Sequence, residues 1–377
     1  MANETNTGIQ PALLFMPDIS GFTQFVNSTE IEHAQSIIQE LLEIIIESNQ
    51  IGLQVGEIEG DAVFFYRIGD APSMTELLQQ VQTMFSRFHQ HLQLYDKQHI
   101  CTCKACTSAV QLKLKILAHF GEVGGMAIKD QRKLFGKDVI LIHRLLKNNL
   151  NKKEYALLTK PLFEEAQADG KLPEWFYPEE ATEQYDVGEV QFKVTDLTPL
   201  REQLPPPEVP QYNSFEKAKV VLTEEAIVQA PMGRALMAVF DLSQRPKWRA
   251  GVKGIEMVTK DLINRVGTMH RCIVNPKNNP VVVTEYARIG EGSAELVEMQ
   301  KNGPGGCRFK TEALGENETK VTVDLLVKNN PFVLAIFNLF MKSKVKKAFV
   351  QSLLNLEKYL HQGSVKVEPV TEAISNN

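Results

Sequence analysis

The sequence has few of the features that mark membrane, secreted or nucleic-acid-binding proteins. It contains no run of about 18 consecutive apolar residues, and its first ten residues lack a basic stretch followed by an apolar one. With 41 Lys and Arg against 46 Asp and Glu, it also lacks the basic excess that sequence-independent binding to nucleic acid requires. We therefore expect a soluble, cytoplasmic protein with no membrane span and no nucleic-acid partner.

Cysteine is scarce and unevenly placed. Of the five cysteines, three are crowded together at Cys101, Cys103 and Cys106, which predicts reduced thiols rather than a disulfide framework. With His99 they form a His-x-Cys-x-Cys-x-x-Cys cluster, and four such ligands can hold a tetrahedral zinc ion. The short Cys-x-Cys spacing is unusual for zinc. The sequence therefore leaves open a zinc site at His99, Cys101, Cys103 and Cys106 or a cluster of free thiols.

The length and the distribution of proline predict two domains. A chain of 377 residues exceeds the size at which one hydrophobic core keeps growing. The prolines cluster between Pro199 and Pro210, where they favour an extended, unpaired backbone. We expect a first domain at residues 1–200, a linker at 201–214, a second domain at 215–362 and a disordered polar tail at 363–377.

The first domain reads as an α+β sandwich. Its apolar patterns predict the order strand, helix, hairpin, helix, strand, helix, strand, with helices over a mostly antiparallel sheet. The first strand is predicted to end near Met16, and the hairpin turns at Gly60-Asp61.

Two aspartates follow predicted strands in this domain. Asp18 lies in the motif Phe15 to Thr23, and Asp61 follows Gly60 in the hairpin turn. Together with a backbone carbonyl such as that of Ile19, two carboxylates suit a hard divalent ion that bridges phosphate oxygens. The alternative is that both are ordinary turn aspartates, which turns select without any metal.

The order of the motifs resembles one family. A Phe-x-x-Asp-Ile-Ser-Gly-Phe-Thr motif is followed by a Gly-Asp hairpin, a His-x-Gly strand and a Phe-Gly turn that leads into a helix. These features resemble the catalytic domain of class III adenylyl and guanylyl cyclases, a ferredoxin-like sandwich. The motifs lie at Phe15–Thr23, Gly60-Asp61, His119 and Gly121, Phe135-Gly136, Val139 and Arg144.

The resemblance implies a function and a set of site residues. Asp18, Asp61 and the Ile19 carbonyl would hold Mg²⁺ or Mn²⁺ in a two-metal site that binds a purine nucleoside triphosphate. Arg144 would be the catalytic residue that steadies charge in the transition state. The domain would form a homodimer, with each site combining residues of both subunits.

Two departures from the family pattern predict weak or absent cyclisation. The asparagine that orients the ribose in the family falls on Ile140, whose side chain has no hydrogen-bonding group. The purine-selecting pair falls on Glu57 and Lys133, and the lysine matches neither the guanine-selecting nor the adenine-selecting residue. As an alternative, Glu57 and Lys133 pair with each other.

The second domain resembles the SRPBCC superfamily of START-like and polyketide-cyclase-like proteins, which have a helix-grip fold. The resemblance is one of pattern: Ala230-Pro231, Phe240-Asp241 and Pro246-x-Trp248, then several antiparallel strands, then one long helix from about Pro331 to His361. Such a fold implies an apolar cavity between sheet and helix.

The cavity has candidate lining residues in the sequence. These are Trp248, Phe337, Phe340 and Met341, and the alternative is that they complete a core. Because no catalytic pair stands out in this domain, we expect it to bind an apolar small molecule without chemistry of its own.

For the whole chain we predict a divergent nucleotide-cyclase-like module coupled to a domain that binds a hydrophobic small molecule. Two other functions fit the same residues. One is a catalytically dead dimerisation scaffold or sensor, and the other is a carrier of lipid-like ligands with no nucleotide role.

Overall fold

The protein is described here by a computed structural model that covers residues 8–29, 31–97, 103–128, 131–167, 170–276 and 279–362. These residues form two compact units. Leaving aside the segment 98–103, the first unit ends at Glu208 and the second begins at Val209. The boundary falls inside the proline-rich segment 201–214. His99, Cys101 and the predicted tail at 363–377 lie outside the described residues.

The first unit has a mixed α+β architecture. Its strands are β1 (Gln10–Ser20), β2 (Gln54–Glu59), β3 (Ala62–Ile68), β4 (Lys113–Ile128), β5 (Gln131–Phe135), β6 (Tyr155–Thr159), β7 (Glu179–Tyr185) and β8 (Gly188–Asp196). Its helices are α1 (Phe22–Ser28), α2 (Ile31–Glu47), α3 (Met74–Lys97), α4 (Lys104–Ser108), α5 (Lys137–Leu145), α6 (Lys160–Glu165) and α7 (Thr198–Glu202).

The sheet of the first unit has the order β2-β3-β1-β4-β6-β8-β7, with β5 paired to the far end of β4. Within the described part of this sheet, β4 and β6 run parallel and the remaining neighbours are antiparallel. β1 is buried on both faces from Leu13 to Ile19. Its residues Leu14 and Met16 share a core with Ile142 and Leu145 of α5. α5 therefore covers the face of the sheet on which Asp18, two positions beyond Met16, also lies.

The second unit is an antiparallel sheet with helices. Its strands are β9 (Ala218–Val228), β10 (Gly254–Met257), β11 (Met269–Ile273), β12 (Val282–Gly290), β13 (Ser293–Gln300), β14 (Gly305–Gly315) and β15 (Glu318–Lys328). Its helices are α8 (Met232–Phe240), α9 (Arg245–Trp248), α10 (Pro331–Ile336) and α11 (Lys342–Gln362). The strand order is β10-β11-β12-β13-β14-β15-β9. Residues of α8 and α11 share a core with β13, β14 and β15.

The carboxy-terminal helix departs from the sequence prediction. Instead of one helix from Pro331 to His361, α10 is followed by a π-helical turn at Phe337–Met341 before α11 begins. The Asn330 side chain accepts hydrogen bonds from the backbone N–H groups of Phe332 and Val333, which caps α10. Pro331 occupies the first helical turn, as expected for a residue without an N–H group. The π-helical turn contains an extra residue, so the apolar side chains of α10 and α11 no longer follow one regular helical stripe. The spacing of apolar residues in the sequence does not reveal such a turn.

In the described part of the chain, no helix is both long enough and apolar enough to cross a bilayer.

Candidate functional site

The two aspartate motifs lie side by side in the first unit. β1 continues to Ser20, so Asp18 lies within the strand, where it pairs with Ala62 of β3 and Lys115 of β4. The prediction that the strand ends near Met16 is therefore wrong. The Ile19 N–H donates to the Asp61 carbonyl at 3.1 Å, and Asp61 lies in the turn between β2 and β3. Residues more than forty positions apart thus come together at one end of the sheet.

The charges of this site are partly balanced within the protein. Burial, followed by the nearby charge of Asp18, raises the pKa of Asp61 to about 6. Lys115 Nζ lies 2.9 Å from Asp18 Oδ2 and also donates to the Leu146 carbonyl at 3.1 Å. Asp18 is therefore paired with a resident cation, and Asp61 carries the negative charge that this lysine does not neutralise directly.

The His119 and Gly121 motif holds α5 against the sheet. His119 is buried, with Nδ1 2.8 Å from Thr159 Oγ1 and Nε2 3.2 Å from Asp138 Oδ1. The Glu122 N–H donates to Asp138 Oδ2 at 2.8 Å. Burial opposes ionisation of Asp138, but these two hydrogen bonds outweigh it and lower the Asp138 pKa. The motif therefore holds the first turn of α5 against β4 through hydrogen bonds to Asp138.

Glycine is required at position 121 for this contact. A Cβ atom on Gly121 would come within 2.5 Å of Asp138 Cγ, closer than any ordinary contact. The glycine therefore makes room for the Asp138 carboxylate, and the His-x-Gly spacing has a structural explanation.

Arg144 and Ile140 lie on the outer surface of α5. Arg144 forms an ion pair with Asp186, whose Oδ2 lies 2.9 Å from Arg144 Nη2, and both side chains are more than half exposed. Ile140 is 48% exposed, which is high for a large apolar side chain. Within the described residues, neither side chain forms a hydrogen bond or an ion pair with Asp18 or Asp61.

Glu57 and Lys133 pair with each other. Lys133 Nζ lies 3.1 Å and 3.2 Å from the two Glu57 carboxylate oxygens. Both line a cavity of about 360 Å³, together with Phe64, Tyr66 and His143. Phe64 and Tyr66 project from the same face of β3 as Ala62, the partner of Asp18, so the cavity opens on the α5 face of the sheet.

The cysteine cluster includes a candidate metal ligand, His33, that the sequence prediction missed. Cys106 Sγ lies 3.4 Å from His33 Nδ1, and Cys103 completes a group whose candidate ligand atoms lie within 4.8 Å of one another. His33 is on α2, about seventy residues earlier, so no local spacing could have indicated it. The remaining predicted zinc ligands, His99 and Cys101, lie outside the described residues.

The second unit has a cavity of about 650 Å³ between its sheet and the α10–α11 segment. Phe337 and Met341 line it, as the sequence predicts. Phe340 does not, because the π-helical turn leaves it 74% exposed. Trp248 does not either: it is 1% exposed, and its indole N–H donates to the Ala238 carbonyl at 2.7 Å. Trp248 is therefore a core residue, the alternative that the sequence left open.

A buried charged cluster adjoins this cavity. Arg245 Nη1 and Nη2 each lie 2.6 Å from one oxygen of Glu298, and both side chains are almost fully buried. Burial lowers the pKa of His270 to about 4, and the opposing effect of Glu298 is offset by the charges of Arg245 and Arg249. The sequence analysis found no catalytic pair in this domain and did not predict this cluster of Arg245, His270 and Glu298. Glu298 shares its strand face with buried Leu296, which is the signal that could have revealed it.

Comparison with known proteins gives two sequence matches. The family model described as a protein of unknown function, DUF2652, matches residues 38–155. An uncharacterized protein of Mycobacterium tuberculosis is 37% identical over 120 residues, which make up 32% of this chain and 56% of the relative. The match thus spans about half the length of the curated relative.

Solved structures of nucleotide cyclases resemble about half of the chain. The adenylyl cyclase CyaB from P. aeruginosa matches 50% of this chain and 95% of its own, with 14% identity and a TM-score of 0.33. The guanylate cyclase domain of RhGC from Catenaria anguillulae in complex with GTP matches 50% and 97%, with 14% identity and a TM-score of 0.35. A bacterial light-regulated adenylyl cyclase matches 52% and 56%, with 15% identity and a TM-score of 0.38. At these identities and scores the likeness carries no inference about activity.

Proposed function

We propose that the first unit is a divergent cyclase-like module that binds a divalent metal and a purine nucleoside triphosphate, with little or no cyclisation. The second unit is a helix-grip domain that binds a hydrophobic small molecule. The observation that carries the first part is the adjacency of Asp18 and Asp61, where the charge of one raises the pKa of the other. Two carboxylates that repel each other gain from a shared cation.

The donor atoms at this site suit Mg²⁺ or Mn²⁺. The proposed ligands, Asp18, Asp61 and the Ile19 carbonyl, offer hard oxygen atoms, and a metal held there would neutralise charge on the phosphate oxygens. Lys115 holds Asp18 through its ammonium group, so metal binding has to weaken or share that ion pair. We therefore expect modest metal affinity in the absence of nucleotide.

Three features of the same unit limit cyclisation. Ile140 cannot donate a hydrogen bond to a ribose. Glu57 and Lys133 form an ion pair with each other instead of contacting a purine. Arg144 is paired with Asp186 in an exposed ion pair, which has to open before Arg144 contacts a nucleotide. Because phosphoryl chemistry depends on positioning and charge stabilisation, we expect these three features to remove most of the turnover.

The proposal includes a homodimer. By the family resemblance, residues on the surface of α5 complete the site of a second copy. Ile140 and Arg144 lie four residues apart on the exposed surface of α5, and they are the positions to which the resemblance assigns this contact. Analytical ultracentrifugation of the full chain tests the dimer directly.

Calorimetric titration of the full chain with Mn²⁺ and with GTP or ATP tests the binding proposal. Asp61→Asn should abolish metal-dependent nucleotide binding because it removes the charge that attracts the metal. Asp70→Asn is the matched control, since Asp70 lies in an exposed position just beyond the same strand, β3. Equal nucleotide binding by both variants would refute the metal assignment.

A second candidate function is that of a carrier of lipid-like ligands with no nucleotide role. The cavity of about 650 Å³ in the second unit favours it, since small-molecule sites are mostly apolar and fall between about 300 and 1,000 Å³. If no nucleotide binds and an apolar ligand does, this function replaces the first. If neither binds, the scaffold function remains.

We also propose that the cysteine cluster binds zinc. The group of His33, Cys103 and Cys106 offers three soft ligands at mutual distances that one ion can bridge, with His99 and Cys101 as further candidates. Zinc content of the purified protein, measured by atomic emission, should approach one ion per chain and fall in Cys106→Ser. Metal-free protein with three fully titratable thiols at these positions would contradict it.

A further inference from the structure

The cavity of the second unit is lined mostly by apolar side chains, with a small number of charged groups at its wall. Among its described lining residues, only Arg249 and Glu298 are charged. The Glu298 carboxylate is already bound on both oxygens by Arg245, at 2.6 Å each. In a bidentate pair of this kind, one guanidinium group binds both carboxylate oxygens, so Glu298 serves mainly as the counter-charge of Arg245.

Arg249 has weak partners in the described part of the protein. Its Nη2 lies 3.3 Å from Cys307 Sγ, and its guanidinium carbon lies 5.2 Å from the centre of the Phe309 ring. A thiol is a weak acceptor, and a ring attracts the cation without neutralising it. Cys307, Cys272 and Glu298 all act on Arg249 electrostatically. Glu298 is the one carboxylate among these three, and it cannot balance two guanidinium groups.

The cluster therefore has a net positive charge. His270, whose Nε2 lies 3.4 Å from Arg245 Nη1, stays neutral near pH 7, and arginine stays protonated in proteins. Two arginines and one glutamate leave one positive charge beside the cavity. Arg249 is partly buried at the cavity wall, so its positive charge is screened less than on an open surface and attracts an anion that enters the cavity.

We infer that the cavity takes an amphiphile with one anionic head group, of the carboxylate class, and a single alkyl body. The head group would bind the Arg249 guanidinium, where a planar fork matches two carboxylate oxygens. The alkyl body would lie along the apolar lining, which includes Val252, Leu325, Phe337 and Phe349. This inference rests on the proposed small-molecule function and specifies its ligand class.

Three probes with the same alkyl chain and different head groups distinguish the contribution of the head group to affinity from that of the alkyl chain. Dodecanoate, dodecan-1-ol and dodecylamine are titrated into the full-length protein below their aggregation concentrations, and their affinities are measured by calorimetry. Dodecanoate should bind at least tenfold more tightly than the alcohol, because a hydrogen bond to a charged group is the stronger kind. Dodecylamine should bind most weakly, since its head group repels Arg249.

Variants test whether Arg249 causes the preference. Arg249→Met should reduce dodecanoate affinity at least tenfold and leave dodecan-1-ol affinity within about twofold, whereas Arg249→Lys should keep a preference for the acid. Arg271→Met is the control, because Arg271 is paired with Glu256 on a more exposed part of the sheet. Without ligand, Arg249→Met should unfold at a temperature no lower than wild type, since it replaces a partly buried cation that has no carboxylate of its own by an apolar side chain.

The outcomes distinguish this inference from the proposed function. If the wild type binds the acid and the alcohol equally, the anionic head group is wrong while the apolar-ligand function stands. If none of the three probes binds up to its aggregation concentration, both fail. The wild-type comparison decides the inference even if a variant does not fold.

Discussion

Replacing Gly121 by alanine creates a collision where β4 meets α5. The added Cβ would lie 2.5 Å from Asp138 Cγ and 2.6 Å from its Oδ2, so the carboxylate has to move. Moving it breaks the hydrogen bonds from His119 and from the Glu122 N–H, at 3.2 and 2.8 Å. Each bond to an ionised acceptor contributes about 1.5–3 kcal/mol. We expect Gly121→Ala to lower the free energy of unfolding of the first unit by about 3 kcal/mol or more.

The two tryptophans allow this unit to be observed separately. Trp175 belongs to the first unit and Trp248 to the second, so a Trp248→Phe background leaves Trp175 as the fluorescent reporter of the first unit during urea unfolding. Gly124→Ala in the same strand is the control, because its Cβ would meet the Phe135 carbonyl at an ordinary 3.6 Å.

A double-mutant cycle identifies the cause. Asp138→Gly removes the atoms with which the new methyl group collides, so Gly121→Ala should cost much less in that background. An equal cost in both backgrounds, or a cost no larger than that of Gly124→Ala, would refute this explanation of the His-x-Gly motif.

Three further predictions concern the sites. Ile140→Asn should raise cyclic nucleotide formation above the wild-type level only while Arg144 is intact, as measured by product chromatography of single and double variants. Apparent Mn²⁺ affinity should fall as pH drops through about 6, because the proton that Asp61 takes up competes with the metal, and a pH-independent calorimetric titration would contradict this. Glu298→Gln should destabilise the second unit by about 3–5 kcal/mol in urea unfolding followed by Trp248 fluorescence in a Trp175→Phe background, because Arg245 loses its buried counter-charge.

Local signals predicted much of the first sheet. The Gly60-Asp61 turn lies between β2 and β3, and the alternating apolar residues before His119 belong to β4. Both features depend on neighbours in the chain, which a sequence pattern reports well. β4 nevertheless continues to Ile128 and pairs with β5, because glycines that look like an interruption also permit close approach to other groups, as Gly121 does to Asp138.

Partners that are distant in the chain could not be predicted. Lys115 faces Asp18 because β4 lies antiparallel to β1, and this register follows from the whole sheet. Arg245 and Glu298 are 53 residues apart and meet only when the second unit is folded. The candidate metal ligands Asp18 and Asp61 were predicted from sequence motifs. The position of Lys115, which forms an ion pair with Asp18, depends on tertiary structure.

Incubation of the purified full-length protein with Mn²⁺ and with GTP or ATP, followed by quantitation of bound nucleotide and cyclic product in the same sample, tests the central claim most directly. We predict metal-dependent binding of one nucleotide that Asp61→Asn abolishes, with cyclic product near the detection limit. Robust cyclic product from the wild type, or no metal-dependent nucleotide binding at all, would contradict the proposal.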